Sequence, residues 1–239
     1  GTELSSTKMP ITSLEVELCA DGSAGGCRFV VESLYDFAQA QWISNLARTI
    51  QVGTKLEVMG GYVKQELIFY GYVDEFSIEY SGAGPPRLTG TGIDGFGYLM
   101  SCRKPIYAGQ KAPKKVVEEI LNKAVSAGYA KSVTVGALSG FTVPVVKEEV
   151  DDFRYLSLMA QRYSVSFFAV AGELIFDNVV GNSSPIISFT VGTGLIDFQK
   201  RLSLQGQVGE VEIWGRDVNQ KFIKGTATSV SIGGAGKSA

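Results

Sequence analysis

Residues Val150–Asp177, VDDFRYLSLMAQRYSVSFFAVAGELIFD, decide the fold. Asp151 or Asp152 can cap a helix in which Phe153, Leu156, Met159, Ala160 and Tyr163 recur at three- and four-residue steps. Arg154, Gln161 and Arg162 fall on the opposite side, so one face is apolar. Ser164–Val170 then changes to strand composition, Ala171–Gly172 supplies a tight reversal, and Glu173–Asp177 returns as a second strand. Phe167 and Ala169 lie on one side of this hairpin and Phe168 and Val170 on the other. The alternation therefore predicts a hairpin covered on both faces, of which the helix can cover only one.

Around this segment the chain has 239 residues, 45% of them hydrophobic, enough to bury a sizeable core. A net charge of -2 without lysine or arginine runs argues against nucleic acid as a partner. No apolar run approaches the roughly 20 residues of a spanning helix, and GTELSSTKMP has no signal core, so direct membrane insertion is not expected. Histidine is absent, which removes the commonest general base and metal ligand. The three cysteines, Cys19, Cys27 and Cys102, make no C-x-x-C and read as reduced and structural. Cys19 and Cys27 flank a hairpin tip, a spacing that allows a disulfide without implying one. No cofactor or metal site is expected.

The first hundred residues read mainly as strands. Leu14–Leu18 and Arg28–Ser33 flank the turn cluster Asp21–Gly26, and Lys55–Met59, Glu66–Tyr72, Asp74–Tyr80 and Arg87–Gly92 follow, separated by glycine-rich turns. Tyr35–Ile50 fits either a helix or an extended segment with one helical turn. Short strands in this order suggest a small barrel or sandwich. Gly90-Thr-Gly92-Ile-Asp-Gly95 spells the dinucleotide fingerprint G-x-G-x-x-G, which needs a strand leading into a helix within a βαβ unit. Gly97 and Pro105 leave no room for a crossover helix, so the motif reads as a glycine-eased strand and turn.

Lys114–Ala127 is the clearest helix, with Pro113 at its start, Gly128 beyond its end, and a buried stripe of Val116, Val117, Ile120, Leu121 and Ala124. Ser132–Val135 and Phe141–Val146 return to strand, and KEEVDD (Lys147–Asp152) leads into the central helix. Paired carboxylates there could serve a hydrolase, but capping alone accounts for Asp151 and Asp152. Ile186–Val191, Leu195–Leu204, Val208–Gly215 and Lys221–Ala227 form a second strand-rich unit, marginal without a neighbour, followed by a loose tail. The expected class is α+β, mainly β. Two β units, 1–105 and 183–239, bracket an α/β unit, 106–182, with helices at 113–127 and 151–164 and a hairpin at 165–177.

Val143–Asp177 resembles the segment of contractile-tail hub proteins in which an acidic pair and Phe open a helix leading to an aromatic hairpin. That family includes phage late control protein D, the amino-terminal part of type VI secretion VgrG spikes and the T4-type baseplate hub. Gly53–Asp74 is similar to the family's Gly-led strand and Phe-x-Gly-x-Val strand, Lys111–Leu121 to its short helix, and Val211–Ala227 to its late G-x-D strand and turn. The resemblance implies that both β units are tail-tube-like barrels. It implies a structural, non-enzymatic baseplate component of a phage or phage-tail-like particle, made in the bacterial cytoplasm. Its partners would be itself as a homotrimer, a tail tube protein, a central spike protein and baseplate wedge or tape-measure proteins. A competing reading is a carbohydrate- or peptide-binding β module using Trp42, Tyr62, Tyr70 and Tyr72; a hydrolase built on Asp151 or Asp152 is a third.

Overall fold

The computed structural model describes residues 11–32, 35–42, 50–82, 84–138, 143–178, 188–199 and 209–228. The chain forms two compact units, 1–179 and 180–239.

The first unit begins with strands β1 (Ile11–Glu17) and β2 (Gly26–Glu32), a short pair β3 (Tyr35–Asp36) and β4 (Gln41–Trp42), then β5 (Lys55–Gly60), β6 (Glu66–Glu79) and β7 (Arg87–Ile93). Five of these make an antiparallel sheet in the order β1-β2-β7-β6-β5, curled as a half-barrel. Its concave core holds Cys27, Phe29, Val31, Ile50, Phe69, Val73 and Leu88. The described part of Tyr35–Ile50 is thus the extended alternative, because Tyr35 pairs with Trp42 and Asp36 with Gln41; 43–49 lie outside the described residues.

Two expected strands are one. Gly71 is no turn but an in-strand residue, where a Cβ would stand 2.2 Å from the carbonyl oxygen of Ile93 on β7. The irregularity that bends this long strand lies slightly later, between Val73 and Glu75.

A second correction concerns the end of β7. Residues Gly95–Ser101 form a helix, α1, which the expectation of a bare turn missed. Asp94 accepts from the Phe96 backbone N–H at 2.9 Å, and Phe96 and Leu99, one turn apart, are fully buried. The remaining elements are β8 (Ile106–Lys111), α2 (Pro113–Ser126), β9 (Ser132–Val135), β10 (Val143–Lys147), α3 (Asp152–Tyr163), β11 (Ser166–Val170) and β12 (Glu173–Asp177).

Helix α2 buries the stripe predicted for it, and Gly128 at φ +78° ends it with the left-handed residue that favours glycine. Helix α3 is capped by Asp151, whose carboxylate accepts from the Arg154 N–H at 2.7 Å, and stops at Ser164 in left-handed geometry. Ala171 and Gly172 both take positive φ, the geometry that closes a two-residue hairpin. A parallel partner, β9, joins β12 to give the order β11-β12-β9. All three helices contribute to one apolar core on this sheet, separate from that of the half-barrel. The expectation of cover on both faces holds only in part: Phe167 and Ala169 are buried under the helices, whereas on the other face Phe168 is half-buried and Val170, at the strand's end, is exposed.

In the second unit β13 (Thr190–Val191) and β14 (Gly194–Leu195) form a two-residue parallel pair, and β15 (Glu210–Arg216) and β16 (Phe222–Thr228) a regular hairpin. Expected strand residues at 186–187, 200–204 and 208 lie outside the described residues.

Candidate functional site

The acidic run Lys147–Asp152 was the strongest chemical candidate in the sequence, and its two aspartates have separate structural duties. Asp151 is spent on the helix cap. Asp152, 1% exposed, receives the Lys147 ammonium at 2.5 Å on Oδ1 and has Lys123 Nζ at 3.8 Å from Oδ2. Lys147 is equally buried, and its other two donors reach the carbonyl oxygens of Cys102 at 3.3 Å and Val150 at 3.2 Å. Three protons meet three acceptors, so the ammonium is saturated and the carboxylate neutralised. Asp152 is closed off by its cations, and Asp151 is placed at the start of the helix by its cap. Sequence reasoning missed Lys147. Its signal was its place at the end of a strand, five residues before the carboxylate it meets.

Asp94 is the other buried carboxylate. It lies within Gly90–Gly95, where a strand does lead into a helix, but the context is an antiparallel sheet and α1 is only seven residues long. Its carboxylate holds the helix's amino end at Phe96 and also accepts from the Gly25 N–H at 2.7 Å, tying the β1–β2 turn to β7. That carboxylate occupies the place a phosphate would take, so the fingerprint carries no nucleotide site. Burial pushes Asp94 up to about 6, against the opposing effect of the two backbone hydrogen bonds.

The aromatic candidates do not form a strip. Tyr70 is buried, donates its hydroxyl to the Gly128 carbonyl at 2.9 Å and has the Lys131 ammonium 4.9 Å from its ring centroid. Lys131 also pairs with Glu57 at 2.8 Å. Tyr72 packs edge-on to Tyr129, itself stacked on Tyr98, and burial raises the Tyr72 hydroxyl to about 12. These tyrosines fasten the half-barrel to the end of α2. Tyr62 is fully exposed in the β5–β6 turn, and Trp42 lies in β4.

Cys27 is buried opposite Val16, and Cys19 lies beyond the end of β1, so all three cysteines are free thiols. Burial raises the Cys27 thiol to about 11. Among the described residues no cluster of His, Cys, Asp and Glu could hold a metal, and no helix is long and apolar enough to cross a membrane.

What remains exposed is strand. In the first sheet β1 and β5 each pair on one side only among the described residues. On β1, Leu14 sits opposite core residue Phe29 yet is 49% exposed. In the second unit, Ile213 and Ile223 on one face of the hairpin and Trp214 and Phe222 on the other are all exposed. On the Trp214 face, Arg216 lies 4.4 Å from the Phe222 ring centroid and Lys224 lies 5.1 Å from that of Trp214. Open edges and uncovered apolar ribbons are features of an associating surface rather than of a catalytic cleft.

No protein-family model matches the chain, and no curated protein sequence does. Solved structures do. The fold is similar to that of the 43 kDa tail protein of prophage MuSo2 from Shewanella oneidensis, with a TM-score of 0.61 and 16% identity over 94% of this chain and 65% of that one. It is also similar to the tail protein from Neisseria meningitidis MC58, with a TM-score of 0.57 and 13% identity over 92% of this chain and 62% of that one. A third match is prophage tail protein gp18 from Listeria monocytogenes EGD-e, with a TM-score of 0.52 and 11% identity over 92% of this chain and 63% of that one. The chain has a phage tail protein fold. It spans less than two thirds of the length of each of these three proteins.

Proposed function

We propose that this chain is a structural baseplate hub of a contractile injection particle, without enzymatic activity. Three copies would form a ring in which two tube-like barrels from each chain present six similar units to a six-fold tail tube. The opposite side of the ring would receive a three-fold spike, and wedge or tape-measure proteins would contact its rim. The observation that carries this reading is the agreement of fold with the Shewanella prophage tail protein over 94% of the chain. The order of the hub-like sequence segments supports it, as do the open strand edges of the half-barrel. A heterologous contact repeated around a ring uses such edges and closes them off. The buried, saturated state of Asp152 removes the main support for a hydrolase. The division of Tyr70 and Tyr72 from exposed Tyr62 does the same for a sugar-binding strip.

Native mass spectrometry of the chain, alone and mixed with the tube and spike proteins of the same particle, tests the assignment. A trimer that captures both partners is expected. A chain that stays monomeric at high micromolar concentration and binds neither refutes it.

A further inference from the structure

We infer that the outer edge of β16 in one copy adds, antiparallel, to the outer edge of β1 in a second copy, with Glu15 opposite Lys224. This rests on the trimeric reading above and names the joint that would build it. Strand β1 has β2 as its sole partner and β16 has β15 as its sole partner among the described residues. Among the described residues, each therefore has one row of backbone donors and acceptors without a strand to meet.

The two edges are complementary on both faces. On β1, Leu14 and Val16 point to the core side, opposite Phe29 and Cys27, while Ser13, Glu15 and Glu17 point away. On β16, Phe222, Lys224 and Thr226 share the face of Arg216, Trp214 and Glu212, while Ile223 and Gly225 share the other with Gly215 and Ile213. With Glu15 facing Lys224, Val16 meets Ile223, Leu14 meets Gly225, Ser13 meets Thr226 and Glu17 meets Phe222. Val16 then lies beside Ile223 and Leu14 beside Gly225, Glu15 faces Lys224, which also pairs with Glu212 inside its own hairpin, and Glu17 lies against the Phe222 ring. A slip of one residue would set the acidic face of β1 against the apolar face of β16, so the pattern specifies the register.

Strand β1 is a lightly protected edge whose charges, Glu15 and Glu17, both lie on the face away from the core. It is seven residues long, its residues include neither proline nor lysine, and its one irregularity lies at its start, between Ile11 and Ser13. By contrast β5, the other outer strand, carries a bulge between Val58 and Met59 and has Glu57 engaged by Lys131. A seated β16 would cover the half-exposed Leu14 and extend the concave apolar face by two strands. It would also give the β15–β16 hairpin, too small to be stable by itself, the third strand it needs.

Charge reversal tests the joint. Light scattering with size exclusion is run on the wild type, Glu15→Lys, Lys224→Glu and the double reversal, with circular dichroism to check folding. The concentration at which trimer is half-dissociated should rise at least tenfold in each single variant, in Lys224→Glu partly through loss of its own pair with Glu212, and the double should recover at least threefold over Lys224→Glu. As a second readout, Ser13→Cys/Thr226→Cys should form disulfide-linked oligomers on mild oxidation, beyond those of the wild type with its own thiols. Wild-type-like trimers in both single variants, a double variant no better than the singles, or a linkage confined to monomers would overturn the joint and leave the hub reading standing. A wild-type chain that is monomeric throughout and ignores tube and spike would sink both.

Discussion

Replacing Lys147 by methionine removes the only cation buried with Asp152. The two charged groups are 2.5 Å apart, with side-chain exposures of 0% and 2%, so water cannot replace the lost ammonium. Stripping one partner from a buried pair costs about 3–5 kcal/mol, mostly as the penalty of the charge left behind. Lys123 remains 3.8 Å from Oδ2, but it is 43% exposed and offsets part of that penalty, which places the expected cost near the lower end, about 3 kcal/mol. For a unit of this size that corresponds to a fall in melting temperature of roughly 6–12 °C. Asp152→Leu should be comparably harmful, because it strands a buried ammonium. The pair Lys147→Met/Asp152→Leu should lie closer to wild type than either single variant, with a coupling of about 2 kcal/mol or more, since an apolar pair leaves no charge unmet. Urea unfolding followed by circular dichroism at the helix band is the assay. All helices among the described residues lie in the first unit, so that signal reports on it. The reasoning fails if Lys147→Met costs less than about 1 kcal/mol, or if the double variant is no more stable than the worse single.

Asp94 should make the first unit less stable as pH rises: its folded value of about 6 exceeds the ordinary 3.8, so its favourable contribution is complete below 3.8 and lost on passing about 6. A shift of that size is worth about 3 kcal/mol, measurable as the change in the stability difference between wild type and Asp94→Asn from pH 4 to pH 7. Asp151→Ala deletes a helix cap and should cost about 1 kcal/mol in the same urea assay. Gly128→Ala should cost more than that, because φ is +78° and the new Cβ would stand 2.2 Å from Lys55 Nζ; a neutral result would mean the α2 terminus relaxes freely. Tyr70→Phe deletes the hydroxyl's bond to Gly128 and should cost about 1 kcal/mol, with faster amide exchange near the end of α2 as the accompanying sign.

The parts of this chain that were legible in the sequence are those in which local signals agree. Helix α2 combined proline at its start, glycine after its end and an unbroken apolar stripe, and those same five residues are its core. Helix α3 and the β11–β12 hairpin were legible for the same reason: Asp151, Ser164 and Ala171–Gly172 each fix a boundary by backbone geometry. Helix α1 was hidden because seven residues with two internal or flanking glycines give no periodicity, and it rests on the Asp94 cap and on burial of Phe96 and Leu99 against other helices. Gly71 misled because glycine signals both a turn and a close backbone approach, and only the position of Ile93 distinguishes them.

The site itself shows the same division in a sharper form. A carboxylate pair before a helix has two physical uses, capping and chemistry, and sequence can identify the pair without choosing between them. The choice is made by a residue from outside the pair: Lys147, buried at the end of β10, meets Asp152 before any substrate could. Among the described residues, open backbone edges and exposed apolar side chains lie elsewhere, along β1 and β16 and beside them. In the proposed assembly, where described strand edges join other β-sheets, specificity would come from register and from the few charges that flank those edges.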